Sequence, residues 1–81
     1  MGYHVTSIEK GVLGQRSKIR EEFEEFQDAV RQNNPVMALI ELSDLIGAIE
    51  AYAVENHNIS LGELVKMKDA TARAFRDGTR S

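Results

Sequence analysis

Cysteine and tryptophan are absent from this sequence, and proline occurs once, at position 35. Without cysteine the chain can form neither a disulfide framework nor a thiolate metal site. Aromatic side chains are also scarce, since there are three phenylalanines and two tyrosines. This leaves few rings on which nucleic-acid bases could stack, so a role in binding nucleic acid is disfavoured.

Long uninterrupted apolar runs are missing too. The most apolar segment, residues 36–54, contains Glu41, Asp44 and Glu50, which argues against a membrane span. The N-terminus lacks the basic-then-apolar layout of a signal peptide. We therefore expect a soluble, cytoplasmic protein. A chain of 81 residues forms one domain and buries only roughly 60–65% of its unfolded surface, so we also expect oligomerisation.

The net charge of −3 conceals an uneven distribution. Residues 21–63 hold ten acids and a single base, Arg31, whereas residues 1–20 hold four bases and one acid. Residues 64–81 hold five bases and two acids. An acidic middle is a poor match for a duplex-binding surface, which needs a basic face. It suits a site that holds a metal with carboxylates and attracts phosphates with bases.

A helical repeat of apolar residues begins near Gln15 and predicts an amphipathic helix that ends near Asn33. The repeat positions lie within about 60° of arc on a helical wheel, and they are Ile19, Phe23, Phe26 and Val30. Residues 1–14 contain three glycines and no such repeat. We expect that segment to be irregular or extended, with HVTSI at 4–8 as a candidate short strand.

Two start signals predict the remaining helices. Asn34-Pro35 supplies an N-cap and a first helical residue, and this second helix should run to about Glu55. The sequence SLGE at 60–63 has the form of a capping box, and the third helix should end near Gly78.

Short connections between long helices favour antiparallel neighbours. We therefore expect an all-α fold, an antiparallel bundle of about three helices completed by oligomerisation. The predicted organisation is an irregular segment at 1–14, a helical domain at 15–78 and a tail at 79–81.

Acidic residues interrupt the apolar pattern of the second helix. With Glu41 as zero on a wheel of about 100° per residue, Asp44 falls near −60°, and apolar residues flank this stripe on both sides. On the first helix Glu22 and Glu25 border the apolar stripe, whereas Glu21 points further outward. A solvated helix face would not have this pattern, so the bordering carboxylates are predicted to be partly buried.

Folding the two helices back on each other about Asn34 brings acids to the same height. Glu25 faces Glu41 and Glu22 faces Asp44, each pair matching to about 3 Å at about 1.5 Å per residue. Four converging carboxylates repel one another and lose water, so the cluster needs protonation or cations. Oxygen-only ligation favours hard ions, and the sequence therefore predicts a Mg²⁺ or Mn²⁺ site.

The two acidic motifs, Glu21-Glu22-x-x-Glu25 and Glu41-x-x-Asp44, resemble the signature of MazG-type nucleoside triphosphate pyrophosphohydrolases. These enzymes belong to the all-α NTP pyrophosphatase superfamily. The segments SKIREEFEEFQDA, ELSDLIGAIEAY and KMKDATARAFRDGTR are similar to its small single-domain phage and bacterial members. The resemblance extends over roughly residues 15–80.

This resemblance implies hydrolysis of a (deoxy)nucleoside triphosphate to the monophosphate and pyrophosphate, with Mg²⁺ as cofactor, by a homodimer or homotetramer. It implies Glu21 as a base or additional ligand. The implied metal ligands are Glu22, Glu25, Glu41 and Asp44. Phosphoribosyl-ATP pyrophosphohydrolases share these acids and remain an alternative, as does a non-catalytic helical dimerisation or adaptor module.

Phosphate-binding residues are less well defined by the sequence. Larger relatives often place a lysine and an asparagine four residues apart on the third helix, and this chain has no such pair. The candidate substrate-binding bases are Lys68, Arg76 and Lys18, with Arg80 as a further base near the end of the chain. Tyr52 and Phe23 are candidate walls of a substrate pocket.

Overall fold

A computed structural model describes residues 7–78 of the chain as three α-helices and no strand. The helices are α1, Arg16–Arg31; α2, Pro35–His57; and α3, Leu61–Arg76. This confirms the predicted all-α fold with three helices. Residues 4–6 of the candidate strand and Arg80 lie outside the described residues, and residues 7 and 8 are not in a strand.

The turn between α1 and α2 forms as the sequence predicts. Asn33 adopts a left-handed conformation, with φ 57°, which ends the first helix. The side chain of Asn34 then accepts a hydrogen bond from the backbone N–H of Met37 at 3.1 Å, and Pro35 is the first residue of α2. The asparagine-proline signal therefore reverses the chain within three residues.

The second turn and the third helix also follow their local signals. α2 continues to His57, two residues beyond the predicted end, and stops where Asn58 takes φ 53°. Ser60 Oγ accepts from the N–H of Glu63 at 3.1 Å, and Glu63 Oε1 accepts from the N–H of Ser60 at 2.9 Å. This is the predicted capping box. Past the end of α3, Gly78 has φ 76°.

α1 and α2 form an antiparallel hairpin with a very small apolar core. At the open end of the hairpin, Asn56 Nδ2 donates to the carbonyl oxygen of Gly14 at 2.8 Å. The buried apolar side chains of the described residues are all alanines, namely Ala29, Ala48 and Ala53. Such small side chains let two helices approach closely, but they bury little apolar surface.

The third helix makes only slight contact with α2 and does not approach α1. The chain measures 41 × 29 × 19 Å and its radius of gyration is 14.6 Å. A compact domain of this length would have a radius of gyration of about 12 Å. The single chain is therefore elongated. None of its described helices is both long and apolar enough to traverse a bilayer.

Many large apolar side chains of this elongated chain lie in solvent. The longest series is on α2, where the exposed side chains are Val36, Leu39, Ile40, Leu42, Ile46 and Val54. Leu39 is 68% exposed, although leucine is usually among the buried residues. Exposed apolar series of this kind are typical of surfaces that contact another apolar surface.

The segment before α1 folds over the start of that helix. The backbone N–H of Gly11 donates to Glu21 Oε1 at 2.9 Å, and the N–H of Val12 donates to Ser17 Oγ at 3.0 Å. A Cβ at Gly11 would lie 2.2 Å from the carbonyl oxygen of Ser17. Position 11 therefore requires glycine for close approach of two backbone segments.

Two glycine substitutions should change stability in opposite directions. Gly11→Ala should lower the free energy of unfolding by more than about 1 kcal/mol, because backbone must move to admit the methyl group. Gly47→Ala should raise it by about 0.5–1 kcal/mol, because Gly47 lies within α2 and a Cβ there meets no atom within 4 Å. Urea unfolding followed by circular dichroism measures both changes. Equal stability of Gly11→Ala and wild type would contradict the described packing.

Candidate metal centre

Acidic side chains from α1 and α2 converge between the two helices in two overlapping groups. In each group the members can place one carboxylate oxygen apiece within 4.8 Å of one another. The group on α1 is Glu21, Glu22 and Glu25, and the interhelical group is Glu22, Glu41 and Asp44. Glu22 belongs to both groups. The structure thus brings together all five acids that the motifs contain.

These acids differ in their exposure to solvent. The side chains of Glu22 and Glu41 are buried, with 6% and 3% exposed, while Glu25 is half-buried and Asp44 is exposed. The interhelical group therefore extends from the helix contact to the surface at Asp44. The expectation that Glu21 points outward is wrong, because only 2% of this residue is exposed. A helical wheel predicts only which side of a helix faces another helix. Glu21 is instead covered by the segment that precedes α1, which the wheel does not include.

The carboxylate of Glu21 has two hydrogen-bond donors outside the acidic groups and a third, more distant positive charge. It accepts from the N–H of Gly11 at 2.9 Å, and its oxygens lie 3.1 Å from Lys18 Nζ and 3.6 Å from Lys10 Nζ. Burial alone would raise its pKa, but the Gly11 amide, the Lys18 ammonium and a hydrogen bond with Glu25 outweigh burial and lower the pKa to about 2. A carboxylate of such low pKa is a weak proton acceptor at neutral pH.

Lys18 neutralises part of the cluster. Its ammonium lies 3.1 Å from Glu21 Oε1 and 3.1 Å from Glu22 Oε2. Hydrogen bonds to Glu22 and then to Glu21 raise the pKa of Lys18, so it stays charged. The predicted substrate-binding lysine is therefore placed between two carboxylates of its own chain, where it fixes their positions.

The other oxygen of Glu22 has no such compensation. Glu22 Oε1 is buried and accepts no hydrogen bond from the described residues. A buried carboxylate oxygen without a hydrogen-bond donor destabilises the fold, because its hydrogen bonds to water are lost and no hydrogen bond within the protein replaces them. No described base forms an ion pair with Asp44. Within the interhelical group, the Lys18 ammonium lies beside Glu22 Oε2, and no described hydrogen-bond donor reaches Glu22 Oε1.

The spacing of this group fits a divalent cation. With ligand distances of about 2.1 Å for Mg²⁺, opposite ligands of an octahedral ion lie about 4.2 Å apart. Carboxylate oxygens that already lie within 4.8 Å of one another can reach this geometry by side-chain adjustment alone. The donor atoms are all oxygens, which favours hard ions. Glu22, Glu41 and Asp44 are therefore the residues that could hold Mg²⁺ or Mn²⁺.

Glu25 relieves the repulsion in a different way. The pKa of Glu25 is raised to about 7, first by burial, then by its hydrogen bond with Glu21 and by the negative charges of Glu22 and Glu41. Without a cation, the carboxyl group of Glu25 is thus largely protonated below pH 7 and shares its proton with Glu21. The predicted ligand Glu25 lies in the α1 group with Glu22, and its charge state is coupled to that of the neighbouring acids.

The predicted bases of α3 do not reach these acids within one chain. Lys68 has a side chain that is 67% exposed and pairs with Asp69 at 2.7 Å. Arg76 is the last residue of α3 and is exposed. Because α3 does not approach α1, the expected position of Lys68 opposite the acidic site is not found. Phe23 is 46% exposed on α1, and Tyr52 lines a cavity near the start of that helix.

Asp28 is a buried acid that the motifs do not include. It is 0% exposed, and its Oδ2 accepts from Gln32 Nε2 at 3.0 Å. A sequence signal does exist, because Glu22, Glu25 and Asp28 recur every three residues along α1. Residues at this spacing share one side of a helix.

Comparisons of the chain with protein-family models, curated proteins and solved structures gave no match. The likeness to MazG-type enzymes therefore depends on the residues of the two acidic motifs and the segments around them. Function is accordingly inferred from those residues and from the geometry of the acids.

The raised pKa of Glu25 predicts a loss of stability with rising pH when cations are removed. In the folded chain Glu25 binds a proton up to about pH 7, whereas in the unfolded chain it releases it near 4.5. The resulting stabilisation is present below pH 4.5 and is lost as the pH rises through 7. In EDTA, Glu25→Gln should therefore melt higher than wild type at pH 8, with a smaller difference at pH 5.

The matched control for this comparison is Glu50→Gln, which changes an exposed acid on the same hairpin. Its melting temperature relative to wild type should be the same at both pH values. Thermal unfolding at pH 5 and pH 8 measures these differences. A Glu25→Gln effect that did not depend on pH would show that the carboxyl group does not titrate as described.

Proposed function

We propose that this chain is a metal-dependent pyrophosphohydrolase that converts (deoxy)nucleoside triphosphates to nucleoside monophosphates and pyrophosphate. The observation that supports this most directly is Glu22 Oε1, a buried oxygen without a donor in a group of carboxylates whose oxygens lie within 4.8 Å of one another. A divalent cation satisfies that oxygen and offsets the charge of the group. The resemblance of the two motifs supplies the reaction.

In this proposal Glu22, Glu41 and Asp44 hold Mg²⁺ or Mn²⁺, and Glu25 joins them as a fourth ligand once it loses its proton. A bound divalent cation neutralises phosphate oxygens and lowers the pKa of a coordinated water. Asp44 is the exposed member of the group, so the triphosphate approaches from its side. The buried acids Glu22 and Glu41 keep the opposite side of the site closed to water.

Other residues of the chain keep the proposed ligands in place. Lys18 bridges Glu21 and Glu22, and the Gly11 amide holds Glu21. With its low pKa and its hydrogen bonds from Gly11 and Lys18, Glu21 fits a positioning residue better than the predicted base. Lys68 and Arg76 remain predicted phosphate ligands, and they would reach the substrate from α3 of a second copy of the chain.

A panel of nucleoside triphosphates with and without Mg²⁺ tests the proposed reaction. We expect release of pyrophosphate, not orthophosphate, and only when Mg²⁺ or Mn²⁺ is present. Asp44→Asn and Glu41→Gln should each reduce turnover at least about 100-fold, because each removes a charged ligand from the ion. Glu50→Gln is the control and should keep full activity. Circular dichroism should show unchanged helicity in Asp44→Asn, whose side chain is exposed.

The same proteins provide a test that does not depend on substrate. Mg²⁺ should raise the melting temperature of wild type. At a Mg²⁺ concentration of 100 times its dissociation constant, the free energy of unfolding should increase by about 2.7 kcal/mol. Mg²⁺ should have no such effect on Asp44→Asn. An active Asp44→Asn enzyme, or wild type unaffected by Mg²⁺, would rule out the ligand assignment. Phosphoribosyl-ATP belongs in the panel, and a failure of every substrate would favour the non-catalytic alternative.

The exposed apolar side chains support a further part of the proposal, that the protein is a homodimer or homotetramer. The described core consists of alanines, whereas α2 exposes a series of large apolar residues. Leu39 and Ile46, seven residues apart on α2, lie on one side of that helix. A second copy of the chain covers such a surface with an equally apolar one.

Light scattering coupled to size-exclusion chromatography measures the mass of the proposed oligomer. Wild type should elute with two or four times the subunit mass of 9.1 kDa. Leu39→Glu and Ile46→Glu should shift the mass towards that of one subunit, because a charge cannot be buried cheaply in an apolar contact. Val12→Glu adds the same charge at an exposed apolar position outside α2 and should leave the mass unchanged. A monomeric wild type would contradict the proposal.

A further inference from the structure

A concave feature lies near the start of α1. It is a cavity of about 780 Å³, a volume within the range of small-molecule sites. The described residues that line it are Glu9, Lys10, Gln15, Arg16, Ser17, Arg20, Tyr52 and Asn56. None of the proposed metal ligands is among them, although Tyr52 is also the predicted wall of a substrate pocket. The basic residues of the cavity have no part in the proposed hydrolysis.

The charge of this lining is opposite to that of the rest of the protein. Lys10, Arg16 and Arg20 face a single acid, Glu9, in a chain whose net charge is −3. Arg16 and Arg20 are four residues apart on α1, so they occupy the same side of the helix and repel each other. Neither forms an ion pair with a described acid. An anion between the two guanidinium groups would relieve this repulsion.

The helix end adds to the positive potential of the cavity. The side chain of Gln15 does not cap α1, and the first turn contains no acid. The carboxylate of Glu55, from the end of α2, lies close to Gly14 and offsets part of the partial positive charge of the helix N-terminus. The remaining contribution of the helix end is secondary to the three basic side chains, and it has the same sign.

The opposite wall comes from the end of α2 and is held in place. Asn56 Nδ2 donates to the carbonyl oxygens of Gly14 at 2.8 Å and Tyr52 at 3.0 Å, which ties the loop before α1 to α2. The ring of Tyr52 packs against that of His57, with centroids 5.4 Å apart. The cavity thus combines guanidinium groups on one side with an aromatic ring on the other.

We propose that this cavity binds a phosphate-bearing small molecule of nucleotide size, with Arg16 and Arg20 as its anion ligands and Tyr52 against its organic part. Guanidinium groups bind phosphate oxygens through pairs of parallel hydrogen bonds, which suits two arginines on one helix side. Lys10, 82% exposed and 3.6 Å from Glu21, adds a mobile positive charge at the rim. Binding needs no metal and does not rest on the proposed hydrolysis.

Binding of adenosine 5′-monophosphate in EDTA tests this site, with inorganic phosphate and adenosine as separate probes. Titration calorimetry at low salt should show a dissociation constant below about 1 mM for the nucleotide and no binding of adenosine. Arg16→Gln and Arg20→Gln should each weaken nucleotide binding about tenfold. Arg73→Gln, which removes an exposed arginine from α3, is the matched control and should bind as wild type does.

Two further variants test which part of the nucleotide contacts Tyr52 and whether binding at this cavity is independent of the proposed metal ligands. Tyr52→Leu should weaken binding of the nucleotide but not of inorganic phosphate. Asp44→Asn, expected to abolish turnover, should bind the nucleotide as tightly as wild type in EDTA. Absence of binding to wild type at 10 mM nucleotide, or equal weakening by Arg16→Gln and Arg73→Gln, would overturn the proposal. Neither result would bear on metal-dependent hydrolysis, which is measured separately.

Discussion

Burial of carboxylates between α1 and α2 is the constraint on which this structure depends. Glu22 and Glu41 are each less than 10% exposed in a helix contact whose buried apolar side chains are alanines, and Glu21 is equally buried beneath the segment before α1. Each buried charge loses its hydration and repels its neighbours. The chain compensates part of this cost with Lys18 and with the Gly11 amide. Glu22 Oε1 has no hydrogen-bond donor among the described residues, and the proposed cation would bind at this oxygen.

The acids also explain the unusual distribution of apolar surface. α2 directs carboxylates towards α1, so its large apolar side chains have little room in the hairpin contact and lie in solvent instead. The third helix does not cover them, because it diverges from the hairpin. In the proposed oligomer the same helix therefore has two functions. One side contributes ligands within the chain, and other sides provide the contact between chains.

The segment before α1 connects the two proposed sites. Lys10 lines the basic cavity and also lies 3.6 Å from Glu21, while the neighbouring Gly11 donates to the same carboxylate. This segment is irregular, and its position is determined by the glycine that lets it approach the backbone at Ser17. A stretch without secondary structure thus sets the environment of a buried acid that lies on a helix.

The sequence by itself determined the helices and their turns, and it predicted that acids of α1 and α2 approach one another. These follow from local rules, because Asn34-Pro35 and the Ser60–Glu63 box act through neighbouring backbone groups, and the rise of a helix converts residue numbers into distances. Only the tertiary structure decided that Glu21 is buried, that Lys18 pairs with the acids and that Lys68 lies far from them in solvent. These outcomes depend on how the irregular segment before α1 folds over that helix and on the direction of α3. A helical wheel predicts neither of them, because neither produces a repeating pattern in the sequence.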